Sequence, residues 1–380
     1  MDLREQTMEY RKLKTINDYI RKSVNPAKSP DTLFEMYSVP IFETGHPEYL
    51  LGREIASNKT VVQKNDILLC KINPRINRVW IVADESENPN IASSEWIVVR
   101  SSKYNPEFLA WYFRSPRFKN LMTSEVTGIG GSLTRAQPKS VAEYPVPVLE
   151  KPEQDAIAII FNTVDTIIKK RRKQLQKLDE LVKARFVEMF GDPVVNPKGF
   201  PCYTIGEVID FQGGSQPDKK YFEYEPSPDN IRLIQIRDYK SYKYITYIPK
   251  TMAKRFCTAD DIMIGRYGPP IFQILKGIEG SFNVALMKAT PKVGNREFVR
   301  QFLKQDCLLE YLEGLSKRTA GQDGIQMDKL KAYPFPYPPI DLQEQFAAFV
   351  TQTDKSKVAV QKALDEAQLL FDSLMQKYFG

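Results

Sequence analysis

Catalysis by imidazole requires histidine, and His46, set between Gly45 and Pro47, is the only one in the chain; a turn position suits it better than an active site. A phosphate-cradling loop would be sought at Gly128-Ile129-Gly130-Gly131, which lacks the lysine of a P-loop and the full dinucleotide-binding spacing, so a surface loop is expected. DNA methyl transfer calls for an acidic or amide residue followed by Pro-Pro-aromatic, and Asn73-Pro74-Arg75-Ile76 breaks that tetrad twice. Pro217-Asp218 with Glu223 and Glu225 could begin a metal-dependent nuclease site, but carboxylates at such spacing arise by chance in most basic proteins. Cys70, Cys202, Cys257 and Cys307 lie far apart with no CxxC pair, which points to reduced buried thiols rather than zinc ligands or disulfides. The expectation is a chain without catalytic residues, metal or cofactor of its own.

What the sequence does supply is side chains that read nucleic acid: arginine, lysine, asparagine and glutamine in glycine-bearing loops beside aromatics. In the first half these are Lys71, Asn73, Arg75, Asn77 and Arg78 at one strand end, then Ser132, Thr134, Arg135, Gln137 and Lys139 after the glycine loop. In the second half they are Arg266-Tyr267-Gly268, then Lys317, Arg318, Gln322, Asp323, Gln326 and Lys329. A net charge of +7 leans the same way. The basic run Lys169-Lys170-Arg171-Arg172-Lys173 is read as a solvated helix face.

These clusters recur because the chain repeats itself. Leu13-x-x-Ile16-x-Asp18-Tyr19 returns as Ile205-x-x-Val208-x-Asp210-Phe211, and Asp66-Ile67-Leu68-Leu69-x-Lys71-x-x-Pro74 as Asp261-Ile262-Met263-Ile264-x-Arg266-x-x-Pro269. Tyr144-Pro145-Val146-Pro147 leading to Glu153-Gln154 returns as Tyr333-Pro334-Phe335-Pro336 leading to Glu344-Gln345. Each proline run should mark the exit from a globular domain, since proline cannot continue a helix.

A long helix should follow both. Core positions alternately four and three apart hold Ile157, Phe161, Val164, Ile168, Arg171, Leu175, Leu178, Val182, Arg185 and Met189; the second copy holds Phe346, Val350, Thr353, Lys357, Val360, Leu364, Ala367, Phe371, Leu374 and Tyr378. That spacing predicts two coiled-coil helices that pair with each other. Strands are expected near residues 67–72, 79–83, 96–100, 232–236, 262–266 and 283–288, and helical stretches near 107–123 and 297–315. The resulting fold class is α+β: globular domains at 1–147 and 193–338 (the latter with a linker at 193–201) alternate with long coiled-coil helices at 148–192 and 339–380, in a pseudo-two-fold repeat.

The landmarks from Tyr144-Pro-Val-Pro through Arg185-Phe-Val-Glu-Met-Phe-Gly-Asp-Pro193 to Asn196-Pro-Lys-Gly-Phe200, with their second-half counterparts, resemble the specificity subunit of type I restriction-modification enzymes. The resemblance implies a non-catalytic subunit whose two target recognition domains, the globular regions at 1–147 and 193–338, each read half of a bipartite double-stranded DNA site, while the long helices run antiparallel, set the gap and dock two DNA methyltransferase subunits, which restriction/translocase subunits join. S-adenosylmethionine, ATP and magnesium are then expected only on those partners. Recognition domains vary between members, so base-contacting residues cannot be carried over; Lys71, Asn73, Arg75, Arg78, Arg135, Gln137, Arg266, Tyr267, Arg318, Gln322 and Gln326 rest on the reading of the residues alone. An architectural coiled-coil protein with protein-binding end domains, or a subunit of a related system whose nuclease is fused to the methyltransferase, would look similar. With no long apolar stretch and no apolar run after Met1, neither a membrane span nor a secretory signal is expected, and the cytoplasm is the expected location.

Overall fold

The computed structural model describes residues 9–124, 126–127, 134–241, 243–267, 271–316 and 324–380. It divides into two compact units, residues 1–172 with 362–380, and residues 173–361. The long helices Lys151–Phe190 and Ile340–Phe379 each contribute residues to both. No helix among the described residues is long and apolar enough to cross a membrane.

In the first unit an open five-stranded sheet, in the order Ser23–Val24, Lys59–Val61, Asn90–Ala92, Leu33–Tyr37, Glu48–Leu51, accompanies a three-stranded sheet of Val79–Ile81, Ile67–Cys70 and Trp96–Val99. The second unit has two four-stranded sheets, one ordered Ile209–Gly213, Leu286–Pro291, Ile262–Gly265, Gln273–Lys276, the other Tyr247–Pro249, Asn230–Ile234, Gly280–Phe282, Phe256–Cys257. Among the described residues each unit contains one parallel pairing, Glu35 to Tyr37 beside Asn90 to Ala92 and Leu233–Ile234 beside Ser281–Phe282, so the repeat extends to topology.

Both proline runs are short strands, not simple breaks. Tyr10–Lys12 pairs antiparallel with Pro145–Pro147, and Cys202–Thr204 with Pro334–Pro336. Two-stranded ribbons tolerate proline because the missing N–H can face away from the partner. Each ribbon ties the start of a globular region to its end, just before the long helix. The four-residue helices Leu13–Ile16 and Ile205–Val208 follow the first strands, as the repeated Leu/Ile-x-x-Ile/Val spacing implies.

Several boundaries differ from the sequence expectation. The stretches at 107–123 and 297–315 are each two helices, Pro106–Arg114 with Pro116–Ser124 and Arg296–Leu303 with Asp306–Ser316. Pro116 breaks the first, because the residue before a proline is pushed out of helical geometry; Ser115 has ψ 152°. The strand expected at 283–288 is Leu286–Pro291, because Asn283 instead turns the chain, accepting the N–H of Ala285. Cys202 is exposed and Cys307 half-buried, so only Cys70 and Cys257 are the buried thiols expected; all four are free.

The heptad reading holds along both helices: none of its twenty core positions is exposed. In the first unit Phe161 packs against Phe371 at 5.6 Å and Phe379 at 5.3 Å between ring centroids, and Arg172 donates to Gln368 at 3.5 Å. In the second, Asp179 meets Lys357 at 2.6 Å and Phe186 meets Phe346 at 5.5 Å. Within each unit, ascending residues of one helix meet descending residues of the other, so the helices run antiparallel. Lys169, Lys170, Arg172 and Lys173 are exposed, as the solvated-face reading requires.

One correspondence needs correction. The equivalent of Gln154 is Gln343, not Gln345. Gln154 accepts the Asn105 N–H at 2.7 Å and donates to the Leu149 carbonyl at 2.8 Å; Gln343 accepts the Asn295 N–H at 2.8 Å and donates to the Pro338 carbonyl at 2.8 Å. Asn105 and Asn295 in turn cap their helices through their side-chain oxygens. A buried glutamine thus joins each long helix to its globular region.

Candidate nucleic-acid interface

In the first unit the strand Ile67–Cys70 delivers Lys71 to its end, where Ile72 forms an isolated antiparallel bridge with Arg135. The Ala136 N–H donates to the Lys71 carbonyl at 2.9 Å and the Asn73 N–H to the Thr134 carbonyl at 2.8 Å. Two segments over sixty residues apart are therefore held side by side by main-chain bonds, with Lys71, Asn73 and Arg135 together. Asn73 and Asn77 adopt left-handed geometry, with φ 46° and 54°, and bracket the turn that exposes Arg75. Asparagine tolerates this conformation better than most residues.

Glu95, which the sequence reading passed over, links the cations: its carboxylate lies 3.9 Å from Lys71 and 3.5 Å from Arg135. Lys71 also donates to the Ser94 carbonyl at 2.7 Å. Arg135 is half-exposed and Arg78 mostly covered, with Glu43 3.9 Å away. Gln137 precedes the short helix Pro138–Val141. The glycine loop at 128–131 lies outside the described residues.

The second unit builds the same bridge from different side chains. Arg266 follows Ile262–Gly265 as Lys71 follows Ile67–Cys70, and Tyr267 bridges Gly324 where Ile72 bridges Arg135. The Arg266 guanidinium lies 5.3 Å from the centre of the exposed Tyr267 ring. Gln326 precedes the helix Met327–Ala332, the place Gln137 holds in the first unit. Arg318 and Gln322 lie outside the described residues, as do Gly268, Lys317 and Asp323. Arg135 thus corresponds to Gly324, so the arginines of the two units stand on opposite arms of the bridge.

Nearby polar groups have structural roles. Asp66, fully buried, receives two hydrogen bonds from Arg100 at 2.6 and 2.7 Å and the Gln63 N–H at 2.9 Å. His46 is exposed, with its ring nitrogen 3.1 Å from Glu85, beside the left-handed Gly45, as expected of a turn.

Residues 197–367 match the family described as the type I restriction modification DNA specificity domain. Among solved structures, the type I restriction-modification S subunit from M. genitalium is similar at 14% identity and a TM-score of 0.61, over 100% of this chain and 98% of that one. A chain from a study of complex assembly and conformational transition of the type I R-M system is similar at 18% identity and a TM-score of 0.55, over 99% and 98%.

Proposed function

We propose that the chain is a DNA specificity subunit of a type I restriction-modification system, a reading supported by the family match over residues 197–367, and that each unit reads one half of a bipartite DNA site. One observation carries this reading: the same bridged strand end, bearing a cation in each case, is built twice with different side chains. One scaffold with exchanged side chains is what two different half-sequences require.

On this reading Lys71, Arg135 and Arg266 contact phosphates or base edges, with Asn73, Arg75, Gln137, Tyr267 and Gln326 beside them and Arg78 supporting from beneath. Glu95 keeps Lys71 and Arg135 in place until DNA replaces it as their partner. The long helices set the gap between half-sites and present their exposed faces to two methyltransferase subunits, which restriction subunits join. The chain itself neither transfers methyl groups nor cuts DNA; S-adenosylmethionine, ATP and magnesium belong to the partners.

The test is selection from randomised duplexes by the chain assembled with its methyltransferase subunits, repeated at rising salt. The expected result is a site of two short elements at one fixed gap, with affinity that falls steeply with salt as phosphate contacts release counterions. Absent or salt-insensitive duplex binding would overturn the reading and favour an architectural protein with protein-binding ends.

A further inference from the structure

The second unit has two adjoining clefts, about 700 and 300 Å³, that share Lys276, Arg300 and Asp354. Seven cations line them against four carboxylates. Some cations are matched: Lys276 meets Asp354 at 2.6 Å, Lys357 meets Asp179 at 2.6 Å, Arg300 pairs with Glu297, and Lys183 meets Asp306, outside the lining, at 2.8 Å. Others are not. Among the described residues the Lys304 and Lys355 amines have no ion-pair partner, and Arg296 has only the Asp260 carbonyl at 3.4 Å. Partial desolvation, then the charges of Arg300 and Lys357, hold the Lys304 amine below the usual lysine range against the pull of Glu297 and Asp179.

The repeat supplies an internal control. By strand register, Lys276 opposite Ile262 corresponds to Ile81 opposite Ile67. Counting from the capping asparagines, Arg300 corresponds to Ala110; counting from the buried glutamines, Lys357 corresponds to Ile168. These three cations are thus replaced by isoleucine and alanine in the first unit; by the same counting Lys355 corresponds to Thr166 and Arg296 to Pro106, while Lys304 corresponds to another cation, Arg114. Gathering seven cations against four carboxylates costs mutual repulsion, and a multiply charged anion would relieve it.

We propose that these clefts bind a small phosphate-class polyanion, free or carried by a nucleotide, through Lys304, Lys355 and Arg296 with Arg300 and Lys357 behind them. Duplex DNA is too broad for a cleft of this size. The experiment is calorimetric titration of the full chain with pyrophosphate and with ATP, for wild type, Lys304→Gln, Lys355→Gln and the exposed-helix control Lys170→Gln. The expected result is saturable binding of one molecule per chain, weakened about tenfold by each cleft substitution, the scale of one charge-assisted contact, and unchanged by Lys170→Gln. Tighter binding of ATP than of pyrophosphate would identify a nucleotide as the source; equal binding would identify the phosphates alone. No saturable binding, or equal weakening by Lys170→Gln, would overturn the proposal. So would displacement of pyrophosphate by duplex together with loss of duplex affinity in Lys304→Gln, which would assign these cations to the DNA surface.

Discussion

Lys71, Arg135 and Arg266 sit where backbone bridges hold them, so replacing each with alanine should alter recognition without unfolding the unit. An arginine that reads a base should cost about 1–3 kcal/mol and relax one position of the site; a phosphate contact should weaken all sequences alike. Binding to a panel of single-base variants separates the two. Glu35 is a stability counterpart. It is fully buried and accepts from Tyr37 Oη at 2.7 Å, Ser86 Oγ at 2.7 Å and the Glu85 N–H at 3.0 Å. Burial alone would raise its carboxyl, but the hydrogen bonds from Ser86, Glu85 and Tyr37 outweigh it and hold the group below the usual range. The stabilisation it provides is therefore present above the unfolded carboxylate value and lost as pH falls through the lowered one. Glu35→Gln should cost about 1–3 kcal/mol at neutral pH, and urea unfolding should show the deficit shrink toward acid; a constant deficit would contradict this origin. The cations at the bridge were legible in the sequence from their composition and recurrence. Glu95 was not, because its link to Arg135 depends on a fold that joins distant segments.

The long helices were the most legible elements, because an apolar repeat sustained over several heptads has no other stable use. The buried glutamines were hidden, since the Glu-Gln dipeptide at 344–345 offered a closer sequence match to 153–154 than the true counterpart, Gln343. Their role predicts that Gln154→Ala or Gln343→Ala leaves an asparagine N–H and a carbonyl unpartnered, at about 2 kcal/mol each. Chemical denaturation of each variant would measure it, and near-neutral effects would show that water replaces the amide. Phe161, fully buried among Trp111, Phe371 and Phe379, should cost about 3–5 kcal/mol when cut to alanine. The sheets were only partly legible: Leu33–Tyr37, Glu48–Leu51 and Asn90–Ala92 are short, and too few residues alternate in each for a strand to declare itself.

For the whole molecule, the repeat and the heptads together argue that recognition and spacing are separable. Matched seven-residue insertions after Gln174 and Ala363 keep the core register and lengthen both helices by about 10 Å, near the rise of three base pairs. Site selection with that variant should return the same half-sites at a wider gap, and an unchanged gap would make the helices docking arms only. The central claim is that each unit reads its own half-site, and exchanging residues 202–333 for the corresponding domain of another specificity subunit tests it most directly. Genome-wide mapping of methylated bases in cells carrying the exchanged chain and its partner subunits should show one half-site replaced and the other kept at the same gap. If both half-sites changed, or neither did, the account would be wrong.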